Sequence, residues 1–439
     1  MGARFRGAGP AVLAAGLSLG LAGTASASSI SVCQKGCAYS SVSAAVAAAA
    51  PGDQIVVGPG TYGGGFTIGK SLSIAGAGSG STIISSGDPV IRVGAGASVR
   101  MSGLRITGGS GVGLRNEGTT VASGIAVSGN GSDGVLNTGY YGEPTGVLTM
   151  SDSSLSGNAG AGIVSHGDYW FNPGTVSLLR VSVSGNASGG IANDAQMTVR
   201  SSSVVGNGFA GVESGGAMSL VDTHVDSNHG LGAAAFYRGG MTVSGGTVSG
   251  NTGVGIEVGG GMHVTGTTIA KNLGGGVENT ANFTGFITLA NVTISGNHAR
   301  WGGGLYAADG SGIEISASRI QNNAADYGGG VATQASGSVQ MTDTTVIGNS
   351  ATIAGGGFYA DEYTGVDFIG GSVHANRAPR GGAFYSAAGA YLNIRNSTVT
   401  GNKATGGPGS GGGIFNAGGF VTLLNTLLVG NSPENCVGC

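Results

Sequence analysis

Between Val221 and Gly230 the chain reads VDTHVDSNHG, in which Asp222, His224 and Asp226 alternate. Alternate residues of a strand share a face, and two carboxylates around an imidazole can hold a metal ion or exchange protons with a substrate. A second polar group, DEYTGVDF and the turn after it, supplies Asp361, Glu362, Asp367, His374, Arg377 and Arg380. Carboxylates beside arginines suit a catalytic site. They suit exposed ion pairs on a sparsely charged surface equally well, and that account needs fewer assumptions. The calcium-binding nonapeptide Gly-Gly-x-Gly-x-Asp is not repeated, so a calcium roll is not expected.

Aromatic side chains form a third set. Tyr306, Tyr359, Tyr385 and Phe415 each follow an apolar residue that is itself led by glycines, while Trp301 and Tyr327 stand just before the glycines. Facing outward, these rings could bind ligand by stacking on sugars, with Arg300, Arg377 and Arg380 meeting acidic saccharides. Facing inward, they would be a packing ladder. Alternation alone leaves both parities open.

The elements that must position these residues are set by a repeat. Asparagines at 130, 158, 186, 207, 228, 251, 272, 297, 323, 349, 376, 402 and 431 are spaced 21 to 29 residues apart, a solenoid period. Three residues before each stands an aliphatic side chain, from Val127 and Leu155 to Val399 and Leu428, flanked mostly by Ser and Thr. Each unit therefore reads as a short strand, aliphatic inward and hydroxyl outward, ending at a corner. Asn and Gly at that corner tolerate left-handed backbone, and stacked amides can bond from coil to coil. A column six residues earlier holds Asp152, Asp222, Asn291, Asp343, Asn396 and Asn425, which read as strand starters bonding local backbone. Asp222 is thereby mostly accounted for by architecture.

The aliphatic-x-x-Asn and Gly-Gly-Gly-hydrophobic alternation of Asn291 to Asn431 resembles the repeats of polymorphic outer membrane proteins, and PGDQIVVGPGTYGG, Pro51 to Gly64, resembles the opening of pectate-lyase-like right-handed parallel β-helices. The resemblance implies an all-β fold, one right-handed parallel β-helix over 55–431 with about three short strands per coil. Lyases of that fold use calcium and acidic residues, so Ca2+ enters as a cofactor only if this chain is such an enzyme. The polygalacturonase-like sets are missing their Asn-Thr-Asp, Asp-Asp and Arg-Ile-Lys partners.

Residues 1–27 read as a signal peptide: Arg4 and Arg6, an apolar Ala11 to Ala22, then Ala25-Ser26-Ala27. The apolar stretch is too short to span a membrane. Residues 28–54 form an N-terminal cap holding Cys33 and Cys37, with a short helix that aligns Val42, Ala45, Val46 and Ala49. Residues 432–439 form a C-terminal cap with Cys436 and Cys439. Two disulfides fit an exported chain better than one zinc site shared by pairs at opposite ends of a rod.

A net charge of −3 with no basic run excludes an electrostatic footprint for nucleic acid. The expected function is a secreted or surface-associated β-helix that binds a polysaccharide, cell-wall component or host surface without chemistry or cofactor, an adhesin. A polysaccharide lyase or glycoside hydrolase is the alternative. Ice binding by the Ser/Thr face is a third idea, interrupted by His224, Arg319 and His374.

Overall fold

The structure is a computed structural model that describes residues 27–138, 146–167, 174–236, 239–280 and 285–439. The expected leader, apart from its final Ala27, lies outside the described residues, as do residues 168–173 of SHGDYWFNPG, Ser165 to Gly174, a stretch whose sequence reads as a protruding loop and a second contact site. The described chain is a single solenoid. Three strands per coil build three long sheets, here called I, II and III, of 17, 16 and 16 strands. Successive coils pair in parallel, as in Val127 beside Leu155 and Leu305 beside Val331. At ~4.8 Å per coil the stack is about 70 Å long.

The inward columns fill the bore. Val127, Leu155, Val183 and their successors through Val399 are buried, and only Leu428, in the final coil, is partly open. Phe358 and Phe384 stack inside at 4.5 Å, with Phe368 edge-on to Phe358.

The corner asparagines are buried and joined side chain to side chain. Asn297 Nδ2 donates to Asn323 Oδ1 at 3.0 Å, and that geometry runs from Asn130 to Asn431, where Asn435 Oδ1 closes the ladder. One expectation needs correction. The left-handed angle belongs to the residue before each asparagine, such as Gly296 at φ 64° or Lys271 at φ 57°. The asparagine keeps ordinary backbone because its amide must reach along the stack. The triple glycines pack beneath this ladder: a Cβ on Gly304 would sit 2.6 Å from the Gly330 oxygen, and Gly302 has φ 56°.

A helix, α1 (Val42–Ala48), lies against the first strands of the stack and buries Val42, Ala45 and Val46. The cysteines pair as Cys33–Cys37 and Cys436–Cys439, with Cα separations of 5.4 and 6.1 Å, leaving none free for zinc. From residue 298 onward five successive coils also carry a strand between sheets II and III, and these form a flange, His298–Trp301 to Lys403–Ala404.

Candidate functional site

The polar sets proposed from the sequence do not assemble. Asp222 departs from the alternation because it occupies a corner at φ 47°, ahead of the strand His224–Asp226. His224 and Asp226 do share the outward face of sheet II, together with Arg319 and His374 of later coils. Asp226 is occupied by the adjacent rung: it accepts from Thr247 Oγ1 at 2.9 Å and from the Ser249 amide and hydroxyl at 2.9 and 2.8 Å. His224 Nδ1 lies 2.8 Å from the same threonine hydroxyl.

The second set is dispersed over several faces. Asp361 and Glu362 follow the sheet III strand Phe358–Ala360, Asp367 points outward from sheet I and accepts from Asn393 Nδ2 at 2.8 Å, and His374 stands on sheet II. Arg377 begins a flange strand, and Arg380 sits 5.8 Å over the Phe415 ring. Among the described residues no three His, Cys, Asp or Glu side chains group as metal ligands.

The parity of the aromatic set is outward. Tyr306, Tyr359, Tyr385 and Phe415 occupy the outer face of sheet III, one residue from the buried Leu305, Phe358, Phe384 and Ile414. The last three rings stack on one another, Tyr359 on Tyr385 at 5.0 Å and 9° and Tyr385 on Phe415 at 5.4 Å and 14°, while Ala332 occupies the rung between Tyr306 and Tyr359. Trp301 and Tyr327 of the flange stack at 4.2 Å, and Tyr327 meets Tyr359 edge-on at 5.0 Å. Stacking covers the ring faces and leaves edges toward solvent, which is poor geometry for a sugar face. Burial pushes the Tyr306 hydroxyl up to about 12, with Glu278 adding to the shift, and raises Tyr359 too.

Read backward, the same rung column continues from Tyr306 to Glu278, Glu257 and, past Ala234, Glu213. Burial raises all three carboxyls, and for Glu213 and Glu278 the Glu257 charge raises them further. The sequence carried the signal, since each glutamate follows a buried residue of a sheet III strand (Val212, Ile256, Val277).

Sequence reasoning missed a concave surface on sheet I. An open groove of about 780 Å³ runs over Ala217, Gly240 and Gly261, between Gln196 at one end and Phe286 at the other. These five residues are successive rungs of one outward column, so the trough is about 19 Å long at ~4.8 Å per coil. Beneath it four methionines, Met197, Met218, Met241 and Met262, pack in register. Beside it runs a polar column, Thr198, Ser219, Thr242, His263 and Thr288. His263 Nδ1 bonds Thr288 Oγ1, and a smaller pocket continues from that pair past Glu314 to Gln340.

The trough exists because side chains are missing. A Cβ built on Gly240 or Gly261 meets nothing within 4 Å, and neither residue has left-handed backbone. Packing and backbone geometry do not require glycine there. Glycine within a strand costs stability and commonly marks close approach of a ligand or another chain.

The coil geometry agrees with the family comparison, in which the description "Right handed beta helix region" matches residues 167–312 and 290–431, more than half of the chain. The chain belongs to the right-handed β-helix family. No curated protein sequence matches this β-helix. Among solved structures it is similar to the mannuronan C-5 epimerase AlgE4 A-module of Azotobacter vinelandii, at 14% identity over 87% of this chain and 90% of that one, TM-score 0.34. It is also similar to the catalytic unit of a GH87 α-1,3-glucanase from Streptomyces thermodiastaticus, at 16% identity over 87% and 64%, TM-score 0.30. The PL6 family alginate lyase AlyGC matches at 9% identity over 89% and 88%, TM-score 0.22. At such identities the likeness is one of fold alone.

Proposed function

We propose that this β-helix binds a linear, uncharged polysaccharide along sheet I, as an exported or cell-surface glycan-binding protein of the adhesin type, without resident cofactor or chemistry of its own. The observation that carries this reading is the glycine-floored groove. Its described lining has no carboxylate, lysine or arginine, and hydroxyls stand beside it at four of the five coils, with His263 at the other. An extended glycan advances by a similar distance per sugar, so successive residues of the polymer meet successive rungs. The exposed face of Phe286, 47% accessible, offers a ring at one end. Export rests on residues 1–27, and α1 serves in this reading as the lid of the first coil. Among the described residues no helix is long and apolar enough to cross a membrane.

A second reading, glycan cleavage, has one observation in its favour: His263 and Glu314 line the same continuous depression. Two groups that exchange protons at suitable distances are the minimum for glycoside hydrolysis or lyase chemistry.

The test is a panel of neutral and acidic polysaccharides measured for binding by affinity electrophoresis, with product analysis on each. Retarded migration in a neutral glucan or related polymer, lost in Gly240→Tyr/Gly261→Tyr and retained in Tyr385→Ala, supports the groove. Binding that survives the glycine substitutions removes it, and new reducing ends or unsaturated products that vanish in His263→Ala move the assignment to the enzyme.

A further inference from the structure

The flange reverses the charge balance of the molecule. The chain has 18 lysines and arginines against 21 carboxylates. The flange strands and the glycine turns after them, 298–304, 324–330, 350–357, 377–383 and 403–413, hold Arg300, Arg377, Arg380 and Lys403 with Asp326 as their one acid. Asp326 is engaged by Thr352 Oγ1 at 2.7 Å. Glu434, in the tail beyond, accepts from the Gly409 and Gly411 amides at 2.8 and 3.3 Å. Among the described residues none of the four cations enters an ion pair. Arg377 and Lys403 occupy adjacent rungs of one exposed column, where like charges repel and cost stability.

An apolar side chain stands among these cations. The flange strand Ser350–Ala354 holds one residue more than its neighbour, so the register slips and Tyr327 pairs with Ala354. The extra residue leaves Thr352 and Ile353 both outside, with Ile353 46% exposed. Bulges of this kind re-aim a side chain. One coil later Arg380 bridges to Ala354, and Arg377 pairs with Ser350. The isoleucine therefore projects between the coil of Arg300 and the coil of Arg377 and Arg380.

We propose that the flange docks on an anionic lipid bilayer, its cations meeting headgroup phosphates while Ile353 enters the boundary between headgroups and acyl chains. Charge complementarity selects a polyanion. The exposed aliphatic tip selects a membrane among polyanions, since an acidic glycan or a nucleic acid offers it no apolar counterpart, whereas a bilayer surface accepts charge and apolar side chain together. Trp301 and Tyr327, beside the cations, stack on each other at 4.2 Å and so spend their facing surfaces on packing. Each lysine or arginine near such a surface strengthens binding roughly fivefold. The flange joins sheets II and III and the groove is on sheet I, so a docked rod keeps its groove free, and neither assignment requires the other.

Co-sedimentation of the full chain with vesicles tests this. Vesicles of equimolar phosphatidylcholine and phosphatidylglycerol should carry the protein down, phosphatidylcholine alone should not, and added salt should weaken binding by screening. Arg377→Gln/Lys403→Gln should weaken it by about tenfold or more and Ile353→Ser by about fivefold, with far-ultraviolet circular dichroism of both variants matching the parent. Gly240→Tyr/Gly261→Tyr should bind vesicles as the parent does, which separates the flange from the groove. Absence of vesicle binding, equal binding to both lipid compositions, indifference to the flange substitutions, or loss with the groove substitutions overturns the proposal. Capture on polygalacturonate without capture on vesicles also overturns it and gives the flange to an acidic glycan.

Discussion

Phe358 and Tyr359 are consecutive in the chain, and their rings lie on opposite sides of sheet III. Phe358 is 1% exposed and stacks inside on Phe384, while Tyr359 stacks outside on Tyr385. Deleting the inner ring leaves a cavity between rigid coils, so Phe358→Ala should lower stability by about 3–5 kcal/mol. Tyr359→Ala removes the stack on Tyr385 and the angled contacts with Tyr327 and Trp301, on a half-exposed face, and should cost less, about 1–3 kcal/mol. Urea unfolding of both variants checks the ratio. Equal losses would contradict the inside–outside assignment.

Asn297→Ala removes more than one bond. Asn297 accepts from the Asn272 side chain and from its backbone N–H, and donates to Asn323 and to the Ile269 carbonyl. Several buried polar groups lose their partners together, at roughly 1–3 kcal/mol each. A loss of about 3 kcal/mol or more is expected by denaturant titration. Ser295→Ala, on the outward face of the strand that leads into this corner, should change stability by less than about 0.5 kcal/mol.

Gly261→Val should leave stability unchanged or raise it by up to about 1 kcal/mol. The added side chain meets open space, and a β-branched residue loses less conformational entropy on folding than glycine does. Thermal melts measure this. A large loss would mean the glycine serves the fold, and the groove reading would lose its main support.

The pH dependence follows from Glu213, Glu257 and Glu278. Their folded carboxyl values are raised by burial, with charge repulsion from Glu257 adding for Glu213 and Glu278. Their contribution is fully present below the ordinary glutamate range and is lost as pH rises through the raised values. Asp53 runs the other way: the Ser28 and Ala50 amides hold it low, so its contribution disappears on acidification. Melting curves from pH 4 to 8 should show Glu257→Gln/Glu278→Gln gaining on the parent as pH rises. A constant difference across that range would refute the assignment.

How much of this was legible in the sequence depended on whether a column repeats. The asparagine and aliphatic columns could be read from their spacing because each coil imposes the same burial at the same position, as at Val127, Ile294 and Val399. Asp222 misled alternation because a one-residue left-handed corner resets which face comes next. The groove escaped notice because it consists of side chains that are absent, and Gly240 resembles the many glycines required elsewhere by turns or close packing.

The sequence by itself determined the solenoid, its bore and its amide corner, since local periodicity selects which residues are inward and stacking repeats that choice. Only the tertiary structure decided what shares a surface. Residues some 20 to 30 positions apart become neighbours through the register of coils, which brings His263 beside Thr288 and Glu278 beside Tyr306. That register depends on each coil's exact length and corner geometry, so it emerges only when the whole stack is assembled.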